Sequence, residues 1–182
     1  MRKILALFGL TCITVAGITG QTVDSLVFPA SWAGSWQGTL EIYNGQGKVQ
    51  SVPMWVEIHK IDTSTEGRYT FGLVYGSKEK DWRPYELVPV NPQYGLWRVD
   101  EKNSIAMESY LYGPKLLCWF VVNNSRILCT YEKSGDTMYF EVLSGIEASV
   151  STTGNTKQGE EEIPEVKTYP FSVFQRAVLK RH

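Results

Sequence analysis

Histidine and cysteine, two residue types that often carry enzymatic chemistry, are scarce in this sequence. The sequence of 182 residues holds two histidines, His59 and His182, so a histidine-rich metal site cannot be built. A serine or cysteine nucleophile would need His59 as its base, and the alternating pattern around it places His59 near a strand end, where a surface histidine is the simpler interpretation. Carboxylates are plentiful, but no spacing selects one pair as acid and base. We therefore predict no catalytic residues, no metal and no cofactor, and we rank an enzyme behind the other classes of function.

Cys118 and Cys129 are the two cysteines outside the N-terminal segment, and they flank Asn123-Asn124. Asparagine tolerates the positive φ angle of a two-residue hairpin loop, and such a loop would make the two cysteines direct cross-strand partners. Counted from the turn, the pair falls at a hydrogen-bonded position, where Cα atoms lie about 5.5 Å apart but side chains diverge. Two alternatives stay open, a disulfide and a pair of buried thiols.

Cationic and aromatic side chains are more frequent in the predicted strands than a closed apolar core needs. Arg83, Tyr85, Arg98 and Tyr110 are candidates for the polar lining of a ligand cavity, and the alternative is that they are ordinary exposed strand residues. An arginine in such a cavity would orient an anionic or polar head group, because a buried guanidinium without a partner is costly. Trp and Tyr rings would hold the apolar part of the ligand.

The segments that must position these side chains are short, with alternating or continuous apolar residues, and helical spacing is nearly absent. Gly, Asn, Asp and Pro fill the connectors, which are too short for the crossover helices that parallel strands require. The predicted strands are Ser35–Tyr43, Val49–Lys60, Arg68–Gly76, Trp82–Val90, Leu96–Glu101, Ile105–Tyr112, Leu116–Val122, Arg126–Lys133, Thr137–Leu143 and Thr168–Lys180. Ten antiparallel strands in up-and-down order should close, so we predict an all-β barrel over residues 35–182, with a lead-in at 21–34.

Ser144–Lys167 interrupts this rhythm. It is rich in Ser, Thr, Gly and Glu and almost lacks large apolar side chains. We predict a long surface loop, because a segment of this composition cannot form part of a core.

The N-terminal residues 1–20 have the layout of a secretory signal peptide. Arg2 and Lys3 precede the apolar run Ile4–Ile18, and small residues follow. The apolar run is short for a membrane anchor, and no later segment is long enough to span a bilayer. We predict export to the periplasm or the medium, with cleavage before Gln21, or alternatively after Ala16.

Composition excludes some classes of function. Hydrophobic residues make up 43% of the chain and charged residues 20%, which is typical of a globular protein. Removing Arg2 and Lys3 with the leader leaves 16 basic against 19 acidic side chains, a formal net charge of −3. A nucleic-acid binder would need a basic face, so that class is disfavoured.

Gly34-Ser35-Trp36, at the entrance to the first strand, and Arg176, in the last, resemble motifs of the calycins, the group that includes lipocalins and fatty-acid-binding proteins. The resemblance implies that Trp36 packs at the closed end of the barrel and that Arg176 lies across its ring as a cation–π pair. The Arg-x-Tyr that clamps a carboxylate in fatty-acid-binding proteins is absent, because Ala177-Val178 follows Arg176.

Two functions remain in view. The first is a secreted calycin-like barrel that binds a small, partly apolar or amphipathic ligand in its interior. The alternative is a structural or partner-binding barrel that uses its exposed aromatic side chains and holds no small molecule.

Overall fold

The structure, a computed structural model, describes residues 28–63 and 66–182. The predicted signal peptide at 1–20, both candidate cleavage sites and the first part of the lead-in lie outside the described residues. Among the described residues, no helix has both the length and the apolar character needed to cross a membrane.

The described chain is almost entirely β-structure, with two short 3₁₀ helices at Ala30–Trp32 and Pro92–Tyr94. Buried and more exposed positions alternate along parts of several strands, as a sheet with one buried face requires. The strands are β1 Gly34–Asn44, β2 Gly47–Ile58, β3 Tyr69–Tyr75, β4 Trp82–Asn91, β5 Leu96–Asp100, β6 Ala106–Tyr112, β7 Lys115–Val122, β8 Ser125–Ser134, β9 Thr137–Ile146, β10 Ser151–Thr153, β11 Thr156–Gln158, β12 Glu161–Ile163, β13 Val166–Thr168 and β14 Val173–Arg181.

Ten of these strands form a closed antiparallel barrel, which confirms the predicted fold class. Each strand from β1 to β8 pairs with the next, and β14 lies between β9 and β1 to close the cylinder. Closure leaves no unpaired sheet edge in the barrel wall. Connections therefore alternate between two ends, which we call the mouth (turns β1–β2, β3–β4, β5–β6, β7–β8) and the closed end.

The β7–β8 hairpin has the register that the sequence predicts. Asn123 and Asn124 both have positive φ angles, 48° and 61°, and Val122 pairs with Ser125 across the loop. Cys118 consequently pairs with Cys129. Two asparagines in the left-handed region match the right-handed twist of the flanking strands.

The segment predicted as a long loop at 144–167 is more ordered than its composition suggests. Strand β9 continues to Ile146, and the chain then forms an arm of two small antiparallel ladders, β10 with β13 and β11 with β12. The last barrel strand correspondingly begins at Val173, not Thr168. The two ladders pair the backbone N–H and C=O groups of the arm. Side-chain composition alone does not reveal this pairing.

The closed end is sealed by aromatic side chains. Trp36 is fully buried, and its indole Nε1 donates a hydrogen bond of 2.9 Å to the carbonyl of Trp32 in the first 3₁₀ helix. The Phe28 ring packs edge-on against the Trp32 ring and the Trp97 ring, with centroids 4.8 and 5.1 Å apart. Residues 28–33, the described part of the chain before β1, therefore act as a plug for this end of the barrel.

The arginine over Trp36 is Arg181, and the prediction of Arg176 for that role is wrong. The Arg181 guanidinium lies 4.3 Å from the Trp36 ring centroid, and Arg181 is the β14 partner of Trp36. Arg176 pairs with Glu41 on the outer surface, because residues of its parity on β14 face solvent while Ala177 and Leu179 face the core. The predicted pairing of the first and last strands is confirmed. The arginine over Trp36 lies five residues further along β14 than the predicted one.

Candidate interior binding site

A cavity of about 750 Å³ occupies the barrel between the plug and the mouth. Ten strands enclose more space than their inward side chains fill, which is the geometric origin of such a cavity. Its volume lies within the range of sites for small molecules. The lining comprises Leu40, Ile42, Gln50, Val52, Pro53, Phe71, Leu73, Tyr75, Gly76, Lys80, Asp81, Arg83, Tyr85, Val99, Glu101, Met107, Cys118, Phe120, Ile127, Cys129, Tyr131, Phe140, Val142 and Gln175.

The base of the cavity is aromatic. The Tyr131 ring contacts the Phe71 ring at 4.9 Å between centroids and the Phe140 ring at 5.0 Å. Leu40 and Leu73 complete this surface, and all five side chains are buried. A ligand lying on them would exchange water for ring faces and methyl groups.

The buried phenols stay uncharged near neutral pH. Desolvation by burial is the main cause that raises the pKa of Tyr75 and of Tyr131 well above the ordinary value of 10.0. Removing a phenolate from water is costly in this apolar surrounding. Both groups therefore offer a hydroxyl and no charge to a ligand.

The polar side chains gather at the mouth. Arg83 donates two hydrogen bonds to Asp81, from Nε to Oδ1 at 3.0 Å and from Nη2 to Oδ2 at 3.1 Å. The same guanidinium lies 4.7 Å from the Tyr75 ring centroid. Next along β4, the Tyr85 phenol interacts with the Glu101 carboxylate and with Arg83, and burial is the largest cause of its raised pKa.

Of the four residues predicted to line a cavity, the structure places two there. Arg83 and Tyr85 line the cavity, Arg83 at its open rim with a side chain that is 46% exposed, whereas Arg98 and Tyr110 lie on the outer surface. Successive side chains on a strand point to opposite faces of the sheet. Because Trp97 and Ser109 are buried, the residues that follow them, Arg98 and Tyr110, point outward. Arg98 there pairs with Glu108 at 2.8 Å, and the Tyr110 ring stacks on Tyr112.

The two thiols are cavity residues as well. Both cysteines are free in the structure and line the wall between the aromatic base and the mouth. Burial raises the pKa of Cys129 to about 12 and also raises that of Cys118. Thiols with such pKa values are protonated and weakly reactive near neutral pH.

Several lining residues went unrecognised from sequence. Phe71, Tyr131 and Glu101 were not singled out, although a usable signal existed for Tyr131. It has the same parity on its strand as Cys129, so the hairpin register places it on the cysteine face. For Phe71 and Glu101, both faces of the neighbouring strands carry large side chains, so periodicity does not select the inner one.

The histidines play no part in the cavity. His59 and His182 are exposed, and the His59 backbone N–H donates to the Thr70 hydroxyl at 2.9 Å. Within residues 28–63 and 66–182, no three His, Cys, Asp or Glu side chains are grouped so as to hold a metal ion.

A second, smaller cavity of about 460 Å³ lies on the outer surface of β7–β9, beneath residues 167–171. The Arg126 guanidinium lies 4.2 Å from the Tyr169 ring centroid and 5.9 Å from that of Trp119. Trp119 is 66% exposed and Phe171 74% exposed. Exposed aromatic side chains next to a surface cavity make this face a candidate interaction site.

Comparison with known proteins yields a fold and no family. No family model matches the sequence, and no curated protein matches it. Among solved structures, the chain is similar to the S-type phycobiliprotein lyase of Guillardia theta, with a TM-score of 0.50 and 9% identity. The alignment covers 82% of this chain and 88% of the lyase chain. At this identity the likeness is one of fold.

Proposed function

We propose that this protein is a calycin-like barrel that binds a small, partly apolar molecule in its interior. The observation that carries the proposal is the cavity of about 750 Å³, with an aromatic base and polar groups at one end. A site with apolar walls and a few polar groups suits a ligand with the same division. The similarity in fold to the phycobiliprotein lyase supports the calycin comparison. The proposal does not extend the activity of the lyase to this protein.

A neutral fluorescent probe tests the proposal. 1-Aminoanthracene emits strongly only in an apolar surrounding, so its titration into the purified protein should give a saturable signal. Native mass spectrometry of the same preparation would reveal a ligand retained through purification. A barrel that gives no saturable signal with this probe and carries no retained ligand contradicts the proposal.

Two matched variants locate the probe. Val142→Trp introduces an indole into the cavity and should abolish the signal, because Val142 lines it. Val178→Trp makes the same change at an outward position that is 51% exposed, and should leave binding intact. Equal effects of the two variants would place the probe outside the barrel.

A second candidate function, partner binding, is favoured by the exposed aromatic face around Trp119 and Phe171. Exposed aromatic side chains are the typical anchors of protein interfaces. If this face mediates self-association, sedimentation velocity over a concentration series should show a dimer that Trp119→Gln weakens. A monomer at every concentration opposes self-association.

We further propose export, on the basis of residues 1–20 alone. Expression with the native N-terminus, followed by intact-mass measurement of the exported and intracellular fractions, tests this. A shortened chain outside the cytoplasm supports export, and a full-length chain retained inside contradicts it.

A further inference from the structure

The charged groups at the mouth of the cavity balance one another. Its lining contains two cationic side chains, Lys80 and Arg83, and two carboxylates, Asp81 and Glu101. A cavity designed around an anionic ligand would be expected to present an excess of cations, as carboxylate and phosphate sites do. The net charge of this lining is zero.

Arg83 is engaged before any ligand arrives. Its two hydrogen bonds to Asp81 have the fork geometry in which a guanidinium meets a carboxylate, and its flat face covers Tyr75. Hydrogen bonding from Arg83 to the Asp81 carboxylate is the largest cause that raises the pKa of Arg83. A ligand carboxylate at Arg83 would have to displace Asp81 or lie beside it, and two adjacent carboxylates repel.

The remaining cation is a poor substitute. Lys80 is exposed at the rim, where solvent screens its charge. Glu101 and Asp81 on the neighbouring mouth turns act against an anion that approaches Lys80 from inside the cavity. No cationic side chain lines the aromatic base around Phe71 and Tyr131.

What the cavity does offer is hydrogen bonding without net charge. The hydroxyls of Tyr75 and Tyr85 and the amides of Gln50 and Gln175 line its upper part. Such groups recognise a hydroxyl or carbonyl. The rings of the base offer flat surfaces suited to a flat ligand.

We infer that the ligand class is an uncharged aromatic or polycyclic molecule with a hydroxyl or carbonyl group, and that Asp81 excludes carboxylates by occupying Arg83. This inference rests on the proposed ligand-binding function. It replaces the sequence-based expectation that Arg83 orients an anionic head group.

A matched pair of fluorescent probes tests it. Pyrenebutanol and pyrenebutyrate share the same ring system and chain, and only the second is charged near neutral pH. Titration of each into wild type and variants, followed by pyrene emission, gives two dissociation constants. The ratio of these constants is the quantity to compare between variants, because the different hydration of the two probes cancels in that comparison.

Asp81→Asn is the informative variant. It frees Arg83 while keeping the size of the side chain, so the affinity for pyrenebutyrate relative to pyrenebutanol should rise by about threefold, the effect of a charge-assisted hydrogen bond that solvent partly screens. Glu108→Gln makes the equivalent change beside Arg98 on the outer surface and should leave the ratio unchanged. Arg83→Met in the Asp81→Asn background should return the ratio to the wild-type value, because it removes the guanidinium that Asp81→Asn frees.

The outcomes separate the two proposals. If wild type prefers pyrenebutyrate and Arg83→Met abolishes that preference, Arg83 is an anion site and the inference is wrong, while the ligand-binding function stands. An unchanged ratio in Asp81→Asn also overturns the inference. If neither pyrene probe nor 1-aminoanthracene binds, the ligand-binding function itself fails.

Discussion

Arg181 joins more parts of the closed end than any other side chain described above. Its guanidinium covers the Trp36 ring, donates to the backbone carbonyls of Ser31 and Ala33 in the plug, and pairs with Asp136 in the β8–β9 turn at 3.2 Å. Three elements distant in sequence therefore meet at one residue. Hydrogen bonds from a charged donor and a cation–π contact each contribute measurably when partly shielded from water.

Arg181→Met should lower the free energy of unfolding by about 2 kcal/mol, because it keeps the aliphatic stem and removes the charge and its donors. The matched control is Arg176→Met on the same strand, whose side chain is 54% exposed and whose ion pair with Glu41 lies at the surface. Surface pairs contribute little, so its loss should be much smaller. Urea unfolding of both variants provides the measurement, and equal losses would contradict the assignment of Arg181 as the closing residue.

Ionisation of the Cys129 thiol makes the free energy of unfolding depend on pH in the alkaline range. Its folded-state pKa of about 12 lies above the ordinary thiol value of 9.0, so the folded protein holds its proton longer than the unfolded chain does. The stabilisation is fully present below pH 9 and is lost as pH rises toward 12, by at most about 1.4 kcal/mol per pH unit.

Unfolding at a series of alkaline pH values measures this slope. Cys129→Ala should show a shallower decline of unfolding free energy above pH 9 than wild type. Val142→Ala, at the residue that pairs with Cys129 on β9, should lower stability while retaining the wild-type slope. Parallel curves for wild type and Cys129→Ala would show that the thiol titrates normally in the folded state.

At the scale of elements, the plug before β1 is held against the core by the burial of its aromatic side chains. Trp32 is only 3% exposed and packs with Phe28 over the end of the core. Trp32→Ala should cost roughly 3 kcal/mol, typical of a large ring removed from a core. Trp82→Ala removes the same ring from a position that is 52% exposed and should cost far less. Denaturant titration of both variants tests this, and similar midpoints would mean that the plug is dispensable.

The arm between β9 and β14 is the element that contributes least to the core. Strands β10, β11 and β13 are exposed throughout, and the barrel ladder resumes at Val173 opposite Ser144 without it. Replacing residues 154–165 by Asn-Gly would join Thr153 to Val166, which already pair, through a two-residue hairpin loop.

This shortened chain should unfold at nearly the wild-type temperature and bind 1-aminoanthracene with unchanged affinity. Differential scanning calorimetry and the probe titration check both statements. A large loss of melting temperature would show that the tip of the arm supports the barrel, and a loss of affinity alone would assign the tip to the binding site.

Local patterns predict some elements here better than others. The β7–β8 hairpin is fixed by two adjacent asparagines, whose tolerance of positive φ sets both the loop and the register of the cysteines. The last strand lacks such a turn nearby, so its parity depends on the distant strands β1 and β9, and the resemblance to the calycins indicated Arg176 where the structure has Arg181. Arg98 and Tyr110 illustrate the same limit, because their strands carry large side chains on both faces.

At the scale of the molecule, the barrel wall and the plug enclose a space that the protein's own side chains do not fill. Folding a barrel around unfilled volume forgoes contacts that a packed core would make. A ligand that binds only the folded state recovers stability by mass action.

Excess 1-aminoanthracene, at about 100 times its dissociation constant, should therefore raise the free energy of unfolding by about 2.7 kcal/mol. Val142→Trp should show no such response, because the indole takes the place of the probe. Thermal unfolding with and without probe supplies the comparison. A shift that persists in this variant would mean that stabilisation arises at another site, such as the outer cavity beneath residues 167–171.

The hydrogen bonds from Arg181 to the Ser31 and Ala33 carbonyls also place the end of β14 at the closed end of the barrel. Ser31 and Ala33 of the plug and Arg181 at the end of β14 lie together at the closed end, and the His182 backbone N–H donates to the Ser35 carbonyl there. The mouth is at the other end of the cylinder. A protein immobilised on a sensor chip through a tag after His182 would thus present the mouth of its cavity to the flowing solution, away from the support.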